Sequence, residues 1–121
     1  MTKRIKVLYV DDDHINLKLF DIVFSKKFDV VIAENGVEGI KSLKNNTDID
    51  IVISDMKMPI MNGLEFINKA KDMFPDKPFC ILTGFEITNE ITDALNTGLI
   101  VNYFKKPFNR IELESVIEKV R

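Results

Sequence analysis

The sequence predicts an α/β fold, a parallel sheet of five strands covered by helices on both faces. Three observations predict it. Short apolar runs alternate with helical stripes five times, the signature of repeated strand–helix units joined by right-handed crossovers. Ile49, Ile51, Val52 and Ile53 read as a strand apolar on both faces, as a central parallel strand must be. Asp11, Asp12, Asp55, Thr83 and Lys106 all fall just past strand ends. The carboxyl ends of strands are where such sheets bind ligands.

The elements follow in order. Ile5 to Val10 (IKVLYV) is the first strand and runs into Asp11, Asp12 and Asp13. Leu19, Phe20, Val23 and Phe24 form the apolar stripe of the first helix. Asp13 caps or charges its N-terminus, and His14, the only histidine, faces solvent on it. Asp29 to Glu34 is the second strand, Asn35-Gly36 a turn, and Val37 to Lys44 a short helix. The central strand leads to Asp55, after which Met58-Pro59 and Asn62-Gly63 break the chain into a tight loop. Met56, Met58 and Met61 serve loop and core packing there. Leu64, Ile67, Ala70 and Phe74 stripe the third helix, which Pro75 stops. Phe79 to Leu82 is the fourth strand, halted at Thr83-Gly84, with Cys80 as a small core residue. Ile87, Ile91, Ala94 and Leu95 stripe the fourth helix, closed by Gly98 in the left-handed conformation. Ile100 to Phe104 is the fifth strand, and Lys105-Lys106-Pro107-Phe108 follows. Leu113, Val116, Ile117 and Val120 stripe the last helix.

With 121 residues, 45% of them hydrophobic, the chain is read as one domain, 1–121, with its own core. Its 17 basic and 19 acidic residues are interspersed, so no basic block marks a nucleic-acid surface. One cysteine excludes an intrachain disulfide. No apolar run approaches membrane-spanning length and nothing resembles a signal peptide, so the expectation is a cytoplasmic protein without membrane contact. No helix-turn-helix segment, catalytic domain or second core is visible, so any output lies in binding partners or in a longer protein.

The polar residues point to phosphoryl chemistry. Three carboxylates in one cleft raise each other's pKa unless a cation joins them. Hard oxygen ligands on loops suit Mg²⁺, which takes one or two carboxylates and a phosphoryl oxygen. Lys106 adds a point charge and Thr83 a hydroxyl donor. Positioning and charge neutralisation are most of what phosphoryl transfer needs.

Four motifs in register, VLYVDDD, VISDMKMPIMNG, ILTG and FKKPF, resemble those of response-regulator receiver domains, over essentially the whole chain. The resemblance implies a flavodoxin-like, doubly wound sheet with strand order 2-1-3-4-5. It implies that Asp55 accepts a phosphoryl group from a sensor histidine kinase or phosphotransfer protein. Asp12, Asp55 and the backbone carbonyl of Lys57 would ligate Mg²⁺, and Asp11 would complete the metal site through a water. Lys106 and Thr83 would contact the phosphoryl oxygens. Tyr103 matches the aromatic that turns inward when the threonine moves, and Lys106-Pro107 matches a cis peptide. Asn62 stands where the family often has aspartate, and the chain is one residue longer than common members between Gly98 and Lys106. The output face would be the fourth helix, fifth strand and fifth helix. The apolar Leu99 to Val101 stretch suggests that this face binds a partner or a second copy. Such a domain is a phosphoacceptor with self-catalysed phosphorylation and dephosphorylation, not an enzyme acting on other substrates. Lys57 and Phe85 would flank the water path to the phosphorus and lengthen the phosphorylated lifetime.

Three other readings compete with this one. Haloacid-dehalogenase-like Mg-dependent phosphatases use a D-x-D pair after the first strand, which Asp11 and Asp13 could supply. This chain is short for that family, lacks a second acid pair after the fourth strand, and keeps Asp55. A flavodoxin-like cofactor binder needs a Ser/Thr/Gly-rich phosphate loop, where three aspartates would repel the phosphate. A non-phosphorylated receiver-like scaffold should have lost a site residue, and all are present.

Overall fold

Five strands pair in parallel in the order β2-β1-β3-β4-β5. They are β1 (Lys6–Val10), β2 (Asp29–Ala33), β3 (Ile51–Asp55), β4 (Phe79–Thr83) and β5 (Asn102–Lys105). Between and after them run α1 (His14–Phe24), α2 (Gly36–Asn45), α3 (Gly63–Met73), α4 (Asn89–Asn96) and α5 (Arg110–Glu118). The computed structural model describes residues 3–84 and 86–120. The predicted fold class and strand order both hold.

Side chains alternate across each strand, so the sheet builds two cores. On one face, Leu8, Val10, Val52, Phe79 and Ile81 pack against α2, α3 and α4 through Leu43, Phe66, Ile67, Ala70, Ile91 and Ala94. On the other, Val7, Tyr9, Ile51, Ile53, Cys80, Leu82 and Phe104 meet Leu17, Phe20 and Phe24 of α1 and Leu113 and Ile117 of α5. Each fully buried Leu, Ile or Phe contributes roughly 1.5–3 kcal/mol, which these two layers sum over every strand. Burial pushes the Cys80 thiol up to about 12, against a lowering backbone hydrogen bond at Asn102, as suits an inert core residue.

Every helix starts on a side chain that accepts from its own first turn: Asp13, Asn35, Asn62, Thr88 and Asn109. Asn62 does so within a reciprocal capping box with Glu65. Gly98 follows α4 with φ +82°, the left-handed conformation expected of it. His14 lies on the outer side of α1, where its ring meets Glu34 at 3.0 Å.

Several expectations need correction. The inward stripe of α1 is Leu17, Phe20 and Phe24, while Leu19 is 47% exposed. Spacings of three and four keep the first three on one side. Leu19 sits about 100° round from Phe20 and shares the outer side with Ile15 and Ile22. The third strand starts at Ile51 and takes in Asp55, and the fourth takes in Thr83, so both polar residues are the last of their strands. The fifth strand starts at Asn102, not Ile100. Ile100 turns into the core under α4 and the Val101 N–H donates to the Phe79 carbonyl at 2.8 Å, so these two belong to the connection. Of the apolar stretch before β5, Val101 is 52% exposed and Leu99 half-buried, a smaller surface than the sequence suggests.

Candidate functional site

Parallel strands deliver all five expected site residues to one edge of the sheet. Asp11 and Asp12 follow β1, Asp55 ends β3, Thr83 ends β4, and Lys106 follows β5. One carboxylate oxygen from each of Asp11, Asp12 and Asp55 lies within 4.8 Å of the other two. Asp11 is fully buried, Asp55 is 7% exposed, and Asp12 faces solvent. The Lys106 ammonium sits between the buried pair, 2.9 Å from Asp11 Oδ2 and 3.3 Å from Asp55 Oδ1.

Backbone contacts hold these groups in place. The Lys106 N–H donates to the Thr83 carbonyl at 2.7 Å, and Lys106-Pro107 is a cis peptide as the family resemblance implies. Behind Asp55 the loop folds back tightly, with the Gly63 N–H donating to the Met56 carbonyl at 2.8 Å. A Cβ at Gly63 would stand 2.3 Å from the Asp55 carbonyl oxygen, so only glycine allows this approach. Met58 is buried and Met56 and Met61 pack against the same core, so the methionines of the loop anchor it, as expected. At the loop's tip Ile60 is 99% exposed and has φ 71°, a left-handed conformation that β-branched residues avoid.

The electrostatics follow from burial. Desolvation, then the neighbouring Asp11 charge, raise Asp55 from 3.8 to about 6; Lys106 pulls the other way and Asp12 adds a smaller push. Burial lowers the Lys106 ammonium, but its hydrogen bond to Asp11 and the charges of Asp55 and Asp11 outweigh this and hold it above the ordinary lysine value. The Lys106 ammonium meets two of the three carboxylates, and every donor the acids offer is a hard oxygen. That set fits a small divalent cation such as Mg²⁺.

Thr83 is buried and Tyr103 half-buried. Ile81 pairs with Tyr103, so Tyr103 shares a sheet face with Ile81 and, two residues on, Thr83. Its ring packs against the core that α4 covers. The one-residue excess before Lys106 therefore leaves Tyr103 on the threonine's side of the sheet. Lys57 is exposed beside the cluster. Phe85 lies outside the described residues.

Sequence reasoning missed Tyr9. Its hydroxyl donates to Asp11 Oδ2 at 2.6 Å, and its ring stacks on Phe20 with centroids 4.2 Å apart. Burial, then the hydrogen bond to Asp11, hold its phenol well above the ordinary tyrosine range. A signal was available: Tyr9 stands two residues before Asp11 in the VLYVDDD run, and period two aims both to one face.

Comparison with known proteins converges on one family. A family model for the response regulator receiver domain matches residues 7–118. The chain is 34% identical over 119 residues to a chemotaxis protein CheY homolog of Campylobacter jejuni, covering 95% of this chain and 91% of that protein. It is 33% identical over 113 residues to the transcriptional regulatory protein GlrR of Escherichia coli, covering 93% of this chain and 25% of that protein. A solved response regulator receiver domain protein from Clostridium thermocellum matches with a TM-score of 0.89 at 28% identity, over 96% of this chain and 93% of that one.

Proposed function

This chain belongs to the response regulator receiver domain family of two-component systems, and on that premise we propose that Asp55 accepts a phosphoryl group from a histidine kinase or phosphotransfer protein. Residues 1–121 act in this reading as one receiver unit. The observation that carries it is the placement of Lys106 between Asp11 and Asp55, at the mouth of a three-carboxylate cluster. Asp12, Asp55 and the Lys57 carbonyl are the ligands we assign to Mg²⁺, with Asp11 supporting the site through a water. When bound, the cation neutralises the acids and draws charge from the phosphoryl oxygens.

The chain's own groups supply the rest. An Asp55 oxygen attacks the phosphorus of the phosphodonor; the new P–O bond forms as the donor's P–N bond breaks and its electron pair returns to the imidazole. Lys106 leaves the carboxylates for the phosphoryl oxygens, and the Thr83 hydroxyl donates to another. Thr83's movement opens room for Tyr103 to turn inward, which changes the α4–β5–α5 face. That face is our candidate for partner binding or for a second copy of the chain. Among the described residues Asp11, Asp12 and Asp55 are the one group of three or more ligating side chains, and Asp55, which the rival phosphatase reading does not use, is part of it. Among them, too, no helix is long and apolar enough to cross a membrane.

Incubation with acetyl phosphate and Mg²⁺, followed by intact-mass measurement, tests the assignment. One phosphoryl adduct is expected, lost in Asp55→Ala and slowed in Asp12→Ala. An adduct undiminished in Asp55→Ala would overturn it.

A further inference from the structure

Asp11 is the most deeply buried charge among the described residues, and its three donors are unequal. Oδ1 accepts from the Asp13 backbone N–H at 2.9 Å. Oδ2 accepts from the Lys106 ammonium at 2.9 Å and from the Tyr9 hydroxyl at 2.6 Å. The backbone donor is fixed by the turn into α1. The Tyr9 donor is fixed by packing, since its ring is 1% exposed and lies nearly parallel to Phe20, at an interplanar angle of 11°. Lys106 alone can leave, because its flexible stem reaches the cluster from the far side of Asp55's strand.

Its leaving creates a problem for Asp11. A buried carboxylate oxygen left without any donor bears its desolvation in full. We propose that Tyr9 is a positioning residue of the phosphoacceptor site: its hydroxyl stays on Asp11 Oδ2 and so lets Lys106 move from Asp11 to an incoming phosphoryl group. The inference rests on the reading of Asp55 given above. Tyr9 touches neither the phosphoryl group nor Asp55 in this role; it acts through Asp11.

The test compares two affinities in Tyr9→Phe, which keeps the ring and its stacking and removes only the oxygen. Beryllofluoride with Mg²⁺ mimics the phosphoryl group, and in this proposal it draws Lys106 off Asp11 whereas Mg²⁺ alone does not. Calorimetric titration should show beryllofluoride binding weakened about tenfold or more, the scale of a hydrogen bond to a charged group, and Mg²⁺ binding changed far less. A general structural defect would weaken both alike, and that result overturns the proposal, as do unchanged affinities. Should Tyr9→Phe not fold, the wild-type protein still decides. The Tyr9 hydroxyl proton, held in a short hydrogen bond, should give a slowly exchanging NMR signal that persists when beryllofluoride is added. Its disappearance on addition overturns the proposal. If the wild-type protein takes no beryllofluoride, the reading of Asp55 falls and this role falls with it; equal affinity in Tyr9→Phe removes Tyr9 alone.

Discussion

Replacing Asp55 with asparagine should make the protein more stable near neutral pH, by an amount that the geometry sets. Desolvation and the Asp11 charge raise the native carboxyl from 3.8 to about 6, so the folded state holds its ionised form at a disadvantage. A shift of that size, at 1.36 kcal/mol per unit, corresponds to roughly 3 kcal/mol. The asparagine amide must still be hydrogen-bonded in a nearly buried place, so a net gain of about 2 kcal/mol is expected. For a chain of this length that is a rise in Tm of roughly 8 °C.

The sign gives a pH signature. Between the unfolded and folded values the native state binds more protons than the unfolded chain, so wild-type stability rises as pH falls. The destabilisation is fully present above a pH of about 6 and is lost as the pH falls toward the unfolded value of 3.8. Urea unfolding followed by circular dichroism, with chelator present, measures it; the chain has no tryptophan to report by fluorescence. The advantage of Asp55→Asn should be largest near neutrality and vanish near the unfolded value. Added Mg²⁺ should narrow it, because the cation binds native wild type and stabilises it by mass action. An advantage independent of pH, or an asparagine variant less stable than wild type at neutral pH, would refute the electrostatic account.

Other changes test the loop that carries Asp55. Gly63→Ala should destabilise by about 3 kcal/mol or more and impair phosphorylation, since its Cβ meets the Asp55 carbonyl at 2.3 Å and Ile81 at 2.9 Å; thermal unfolding and acetyl phosphate labelling check both. Ile60→Asn should gain about 1 kcal/mol in chemical unfolding, because asparagine tolerates φ 71° and the exposed isoleucine gives up no packing. Lys57→Asn should speed phosphate release from the phosphorylated protein if the exposed lysine holds phosphoryl oxygens; an unchanged rate removes it as a guard of the site.

The strands and the acid cluster were legible because each rests on a local signal. β3 is apolar at consecutive positions, which only a strand buried on both faces tolerates, and Asp11, Asp55 and Lys106 are placed together by strand ends alone. The inward stripe of α1 is not legible because that helix is apolar on two sides, and periodicity cannot tell which side meets the sheet. Ile100 reads as strand because a core residue in a connection and one in a strand look alike in sequence. The need for glycine at positions 39 and 63 arises from Phe66 and from the Asp55 carbonyl, partners that local spacing does not reveal. Phe66 itself, fully buried, falls outside the stripe read from Leu64, Ile67 and Ala70 because α3 contacts α2 as well as the sheet.

The imbalance of charge at the site links stability to function. Three clustered carboxylates, two of them paired with Lys106, concentrate negative charge at the sheet edge, and Asp55 bears its consequence as a raised pKa. A second fixed cation would relieve that strain and stabilise the fold, but it would also remove the attraction for a dication. A neutral residue in place of Asp11 would relieve it too, yet would leave Lys106 held by Asp55 alone, on the group proposed to react. The arrangement present keeps that concentration of charge, buries Asp11 behind fixed donors, and pairs it with the flexible Lys106. Local instability of this kind is tolerable because two apolar layers, one on each face of the sheet, stabilise the rest of the chain. In the function proposed above, a native state so built gains more from a bound cation and phosphoryl group than a relaxed site could, and that differential is the free energy we assign to moving Thr83 and the face beyond it.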